Sequence, residues 1–207
     1  MNNNIITITR QYGSGGHDIG KALAEKLNIP FYDKELITLA AKESGINPEL
    51  FEHVDEKATN SLLYSLSMGL YNYGIGFSSM GDLPINDQLY ILQHKIIKQL
   101  AEKGPFVVVG RCADYVLRDN DNVVKVYIYA DIEHRTQRAI ERQKIDPARA
   151  KQAVLKADKN RANYYSFYSG KKWGFADNYD LCINSTFLTT EQAVNIITEF
   201  LNIRNKK

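Results

Sequence analysis

The chain has 207 residues and a formal net charge of +2, a length that suits one α/β domain with a small inserted lobe. Its 44% apolar and 24% charged residues are ordinary for a globular protein in water. No apolar run comes near the roughly 18 residues of a membrane-spanning helix, and no secretory signal opens the sequence. Two cysteines are too few for a disulfide framework. We therefore expect a cytoplasmic protein without a membrane partner.

The first half of the chain alternates short strands with amphipathic helices. Ile5 to Thr9 predicts a buried strand, and apolar residues at helical spacing predict a helix from about residue 17 to Asn28. Phe31-Tyr32 predicts a second short strand, and residues 34–44 predict a further helix. Residues 46–84, rich in tyrosine and glycine, are typical of a mobile loop or the edge of a lobe.

The second half continues this alternation. In chain order its pattern predicts a helix over 87–103, strands over 106–109 and 123–130, helices over 132–144 and 147 to about 164, a strand over 179–184 and a helix over 190–203. Strands that alternate with helices predict a parallel sheet flanked by helices, so we expect an α/β fold of three layers.

A glycine-rich segment joins the first strand to the first helix. Glycines in such a turn let backbone amides converge on an anion, and the helix N-terminus adds free N–H groups and a favourable dipole. We predict a phosphate-binding loop here, the alternative being a tight turn without a ligand. The candidate nucleotide-binding residues are Arg10, Gly13, Ser14, Gly15, Gly16, His17 and Asp18.

Two registers of this loop are compatible with the sequence. In one, Gly20-Lys21 supplies the end of a G-x-x-x-x-G-K motif, but Ala22 replaces the hydroxyl residue that follows the lysine. In the other, the loop starts at Arg10, where the strand ends. Gly16 then stands in place of the lysine and Asp18 in place of the Mg²⁺-binding hydroxyl. We prefer the second register, because it leaves the helical pattern intact. Arg10 or a more distant arginine must then supply the positive charge.

The basic residues are concentrated in one segment, residues 133–172. This segment holds eleven Lys and Arg side chains against four acidic ones, a net charge of +7 in a chain of +2. Such a block indicates an anionic ligand, either a polyphosphate or a nucleic acid, or else a solvated helix surface. Nucleic-acid binding is the less favoured alternative, because the sequence contains no recognised nucleic-acid module.

Three blocks of the sequence resemble the cytidylate kinase-like family. The first is residues 6–27 with the following Ile29 to Ile37, and the others are Val109 to Leu117 and Asp158 to Ala162. The likeness covers nearly the whole chain apart from residues 60–85. It implies a P-loop fold with a parallel sheet of about five strands.

The resemblance also implies a domain organisation. It indicates a single kinase-like domain over residues 1–207. Within it we expect a small helical substrate-binding lobe over residues 45–86 and a basic lid over residues 133–172.

Cytidylate kinases transfer the γ-phosphoryl group of ATP to CMP or dCMP. The resemblance therefore implies a nucleotide-binding phosphotransferase that uses ATP with Mg²⁺ and a small phosphorylated or hydroxyl acceptor. It assigns substrate binding to Asp33, Arg111, Asp158 and Arg161. It assigns catalysis, by neutralising charge on the transferred group, to Arg111 and the lid arginines Arg135, Arg138 and Arg142. For each residue, the alternative is a surface salt bridge.

The sequence also departs from the family pattern. Besides Gly16 and Asp18, Val109 replaces the acidic residue expected before Gly110-Arg111, and Cys112 replaces a further acid. The metal ligands therefore stay open, with Asp18, Asp33 and Asp114 as residues that could rebuild part of a magnesium site. These departures leave a second hypothesis in place, a non-catalytic relative that binds nucleotide or phosphate but has lost transfer.

Overall fold

A computed structural model describes residues 4–33 and 85–206 of the chain. Within these ranges, five parallel strands form one sheet. In chain order they are β1 (Ile5–Arg10), β2 (Phe31–Tyr32), β3 (Val107–Val109), β4 (Val123–Tyr129) and β5 (Leu181–Asn184). The strand order across the sheet is β2-β3-β1-β4-β5. The described α-helices are α1 (Gly16–Leu27), α2 (Ile85–Lys103), α3 (Ala113–Val116), α4 (Ile132–Gln143), α5 (Pro147–Ser169) and α6 (Thr190–Arg204), and a 3₁₀ helix spans Ala176–Asn178.

Strand β1 lies at the centre of the sheet and is covered on both faces. Ile6 pairs with Val107 of β3 and with Val124 of β4. Ile6 and Ile8 pack in the core formed with α1 and α6, whereas Ile5 packs in the core formed with α2 and α3. Alternate side chains of a strand point to opposite faces, so the apolar run of β1 is buried on both sides. The result is the predicted three-layer α/β fold.

The parallel arrangement brings the carboxyl ends of all five strands to one edge of the sheet. In such folds, ligands bind in the crevice at that edge. The loops that follow β1, β3, β4 and β5 here begin at Gln11, Gly110, Ala130 and Ser185. No helix in residues 4–33 and 85–206 is both long and apolar enough to cross a membrane.

The predicted strands are confirmed, and one helix is longer than predicted. Helix α5 continues to Ser169, where Gly170 ends it with φ of 68°, instead of ending near Tyr164. The extra turn is held by Tyr165 and Tyr168, which pack with Cys112 in an aromatic cluster. The short helix α3 was not predicted. The proposed lobe over 45–86 lies outside the described residues, apart from the first two residues of α2.

Candidate active site

The segment between β1 and α1 forms the loop that the glycines predict. Gly13 and Gly15 adopt left-handed φ angles of 77° and 79°, and α1 begins directly afterwards at Gly16. Gly20 and Lys21 lie inside α1, and Lys21 is exposed. The structure therefore has the register that starts at Arg10, with no lysine at the start of the helix.

Hydrogen bonds within the fold hold this loop in place. The buried hydroxyl of Ser14 donates to the carbonyl of Gln11 at 2.9 Å. The hydroxyl of Ser185, which follows β5, donates to the carbonyl of Ser14 at 2.7 Å. The side-chain oxygen of Gln11 accepts from the amide of Ala130 at 3.1 Å. The Ser14 amide also donates to the carbonyl of Gln11, at 3.3 Å. The hydroxyl, amide and carbonyl of Ser14 are thus all used within the fold, and this residue fixes the shape of the loop.

A buried ion pair supports the loop from the basic segment. Arg135 is 5% exposed, pairs with Asp158, and donates through Nε to the carbonyl of Ala130 at 2.9 Å. The other carboxylate oxygen of Asp158 accepts from the Tyr12 amide at 2.7 Å. These two predicted site residues therefore contact the protein backbone around the loop.

Helix α4 presents Arg138 to the loop at the next turn. A β-carbon added to Gly15 would lie 2.8 Å from Nη1 of Arg138, so the guanidinium lies directly against the loop. This Nη1 is buried and has no hydrogen-bond partner in the part of the chain that the structure describes. An orphaned cationic donor beside converging backbone amides fits the phosphates of a nucleotide. One turn further on, Arg142 is exposed and pairs with Asp18.

His17 lies between two carboxylates at the start of α1. Its Nε2 is 3.3 Å from Asp33 and its Nδ1 is 3.5 Å from Asp18. No group of three or more metal-ligating side chains occurs in the described ranges. Asp114 is instead buried below the site and accepts a hydrogen bond from the Tyr165 hydroxyl at 2.7 Å. Burial raises the pKa of the Asp114 carboxyl.

A small cavity of about 40 Å³ opens beside the loop, between the ends of β1 and β3. Three guanidinium-bearing residues line it, Arg10, Arg111 and Arg161. No carboxylate of the described residues lines it, and the rest of its lining is Thr9, Gly110, Cys112, Tyr164, Tyr165 and Trp173. We call this space the three-arginine cavity. Convergent guanidinium groups recognise phosphate and carboxylate groups.

The backbone that positions Arg111 is unusual. Gly110, Arg111 and Cys112 adopt consecutive left-handed φ angles of 82°, 62° and 52°. Two non-glycine residues in this region imply local strain, which concentrates at functional sites. Burial lowers the pKa of Arg111, the nearby Arg161 lowers it further, and Tyr164 and Asp33 oppose the shift. An anion in the cavity would relieve the electrostatic cost of this burial.

Phe187 also lies at this edge and was not predicted from the sequence. Its side chain is 87% exposed, in the loop that Ser185 ties to the phosphate loop. The ring of His134 lies edge-on to it, with a centroid distance of 6.0 Å. A phenylalanine in the short connection after the last predicted strand, among serine and threonine residues, is the signal that could have identified it.

The model of the cytidylate kinase-like family matches residues 5–187 of the chain. A similar solved structure, an uncharacterized protein from Eubacterium ventriosum ATCC 27560, is 31% identical with a TM-score of 0.71. That alignment covers 96% of this chain and 98% of the other. No curated protein matches the sequence.

More distant solved structures share the fold. Shikimate kinase from Bacteroides thetaiotaomicron is 18% identical with a TM-score of 0.57, over 96% of this chain and 98% of that one. A gluconokinase from Sinorhizobium meliloti 1021 is 14% identical with a TM-score of 0.51, over 98% of both chains. At this level of identity the likeness shows a P-loop kinase fold and no more.

Proposed function

The chain belongs to the cytidylate kinase-like family, and on that premise we propose that it is a phosphotransferase. In this proposal it moves the γ-phosphoryl group of ATP to a small acceptor that carries an anionic group of its own. One observation supports the proposal most: the glycine loop, with Arg138 against it, is adjacent to the three-arginine cavity, and the chemistry of each suits an anion. Phosphoryl transfer requires such a pair of sites, because catalysis consists mainly of positioning and of charge neutralisation.

The donor nucleotide occupies the phosphate loop in this proposal. Backbone amides of residue 13 and residues 15–18, with the guanidinium of Arg138, bind its phosphates. The exposed ring of Phe187 offers a stacking surface for the base, since aromatic rings stack on any nucleobase. When bound, Mg²⁺ supplies further positive charge to the phosphates, and Asp18 and Asp33 are the carboxylates available to hold it.

The acceptor occupies the three-arginine cavity. Arg111 and Arg161 bind its anionic group and thereby orient a second oxygen toward the donor phosphate. A nucleoside monophosphate such as CMP or dCMP satisfies this requirement, and so does a hydroxy acid. The cavity is small, so it accommodates the anionic group and leaves the rest of the acceptor outside. Residues 45–86 are the proposed lobe that contacts that remainder, and residues 133–172, which include most of α4 and all of α5, form the proposed lid.

The lid arginines divide into different roles under this proposal. Arg138 contacts the donor. Arg135 has a positioning role, because its guanidinium is buried against Asp158 and the loop backbone. Asp158 likewise shapes the loop through the Tyr12 amide. Arg142 contacts the site through Asp18 and can reach the donor phosphates only if that exposed ion pair opens.

A non-catalytic nucleotide-binding relative is the second candidate. It is favoured by Val109, which leaves β3 without a carboxylate at its end, and by Gly16 in place of the loop lysine. Both features remove groups that kinases use to hold the transferred phosphoryl group and its metal ion.

A coupled ADP-release assay tests the proposal. ATP and Mg²⁺ are combined with a panel of acceptors that includes CMP, dCMP, other nucleoside monophosphates and shikimate, and melting curves are recorded with the same compounds. We expect turnover with at least one anionic acceptor, and its loss in Arg161→Met but not in the exposed control Lys159→Met. Melting shifts with ATP but no turnover would select the non-catalytic alternative. If the compounds cause no melting shift and give no turnover, both candidate functions are eliminated.

A further inference from the structure

The side chain of Arg10 lies across two glycines. A β-carbon on Gly16 would lie 2.6 Å from Cβ and 3.1 Å from Cγ of Arg10. A β-carbon on Gly110 would overlap Nη1 of Arg10 and lie 3.1 Å from its Cζ. The stem of Arg10 therefore covers the first residue of α1, and its guanidinium covers the end of β3. Neither glycine can be replaced while Arg10 keeps this position.

Gly16 has no other evident reason to be glycine. Its φ is not in the left-handed region, unlike that of Gly15, and it is the first residue of a helix. Glycine destabilises a helix interior by about 1 kcal/mol relative to alanine and has no general advantage at a first helical position. The close approach of Arg10 is the contact that explains it.

The two positions correspond to the ends of the motif. In G-x-x-x-x-G-K, the first glycine leaves the strand end without a side chain, and the lysine extends from the start of the helix to the phosphates. In the register that starts at Arg10, these residues are Arg10 and Gly16. The cation and the glycine have exchanged places.

Resting on the proposed function, we propose that Arg10 is the phosphate-binding cation of this loop and replaces the lysine by a reciprocal exchange with Gly16. The Arg10 guanidinium lines the three-arginine cavity with Arg111 and Arg161. Arg10 is also the last residue of β1, and the phosphate loop follows it directly. Arg161 donates to the Arg10 carbonyl at 3.2 Å, which ties the two arginines together. The exchange thus places the loop cation at the junction of the two anion sites, where the transferred group passes.

The exchange predicts how substitutions at the two positions combine. Arg10→Gly removes the cation, so ATP binding weakens about 10- to 100-fold, as for loss of a charge-assisted hydrogen bond. Gly16→Lys alone also weakens binding, because its side chain meets the Arg10 stem. The double variant R10G/G16K restores a glycine at the strand end and a lysine at the helix start. It binds ATP within about threefold of the unsubstituted chain, a difference of about 0.65 kcal/mol or less.

The experiment is isothermal titration calorimetry of the four full-length chains with Mg·ATP and with inorganic pyrophosphate. Lys21→Met is the control, since this lysine is exposed inside α1 and belongs to the other register. Melting curves without ligand establish that each variant folds. If R10G does not fold, Gly16→Ala is used instead, because alanine is favourable in a helix. Its β-carbon displaces Arg10, so we expect it to weaken ATP binding as much as R10G would.

The outcomes separate this inference from the proposed function. If the unsubstituted chain binds ATP and R10G or G16A binds it equally well, the exchange is wrong while the proposed function stands. A double variant no better than R10G also overturns the exchange. If the unsubstituted chain binds neither ATP nor pyrophosphate, the proposed function fails first and the exchange fails with it.

Discussion

Arg135 and Asp158 form an ion pair behind the phosphate loop, with side chains that are 6% and 13% exposed. The pair links α4 to α5, and Asp158 extends the link to the Tyr12 amide. The basic segment is therefore fastened to the loop at this point. Its positive charge is held at a set distance from the loop, which is the arrangement that preorganised electrostatic stabilisation requires.

Loss of one member of this pair should destabilise the protein. Removing one partner of a buried ion pair costs about 3–5 kcal/mol, because the other charge stays buried without compensation. We expect Arg135→Met to lower the free energy of unfolding by an amount in this range, measured by urea denaturation. Arg142→Met is the control, because its pair with Asp18 is exposed and such pairs contribute about 0–1 kcal/mol. Equal effects of the two substitutions would contradict a bracing role for Arg135.

Loss of Arg138 should affect binding and leave stability nearly unchanged. Its Nη1 has no hydrogen-bond partner in the described residues. Arg138→Met therefore breaks no described hydrogen bond of that atom. We expect ATP affinity to fall about 10- to 100-fold, measured by calorimetry, with the melting temperature unchanged. Arg149→Met, at an exposed position of α5, is the matched control. A large loss of melting temperature with intact affinity would indicate a structural role instead.

The single tryptophan provides a direct signal from the three-arginine cavity. Trp173 lines that cavity and is the only tryptophan of the sequence. We expect CMP or inorganic phosphate to change its fluorescence with a saturable dose dependence, and Arg161→Met to abolish the change. Lys159→Met should leave it intact. A fluorescence change that persists in Arg161→Met would place the anion elsewhere.

Asp114 should make stability depend on pH. Burial raises the pKa of its carboxyl above the ordinary value of 3.8. The folded state then binds the proton more tightly than the unfolded state, so this residue lowers stability as pH rises through its folded pKa. Asp114→Asn still accepts the Tyr165 hydrogen bond without a charge. We expect this variant to gain stability relative to the unsubstituted chain as pH rises above the ordinary carboxyl pKa of 3.8, measured by urea denaturation. A difference that does not change with pH would contradict this assignment.

The fold was largely predictable because its signals are local. β-branched runs, helical spacing and glycines mark the strands, helices and loop, and parallel order follows from their alternation. The roles of the arginines were less accessible. The spacing of Arg135, Arg138 and Arg142 places all three on one helix face, and spacing alone does not distinguish their roles. Only packing distinguishes the buried Arg135 from the exposed Arg142.

Other features depend on contacts between distant segments. The sequence shows Gly16 in the lysine position but not the Arg10 side chain that excludes a β-carbon there. The left-handed φ of Arg111 and Cys112 carries no sequence signal, since neither residue favours that region. The length of α5 depends on the packing of Tyr165 and Tyr168 with Cys112. Helical periodicity does not show that these aromatic residues have a packing partner.

The central claim is that two anion sites meet at the phosphate loop. The most direct test is a crystal structure of the full chain with a non-hydrolysable ATP analogue, Mg²⁺ and CMP or inorganic phosphate. We predict phosphates of the analogue within hydrogen-bond distance of the amides of residues 13 and 15–18 and of the Arg138 guanidinium. We also predict a second anion on Arg111 and Arg161. An analogue bound away from the loop, or a three-arginine cavity without an anion at saturating concentration, would contradict the claim.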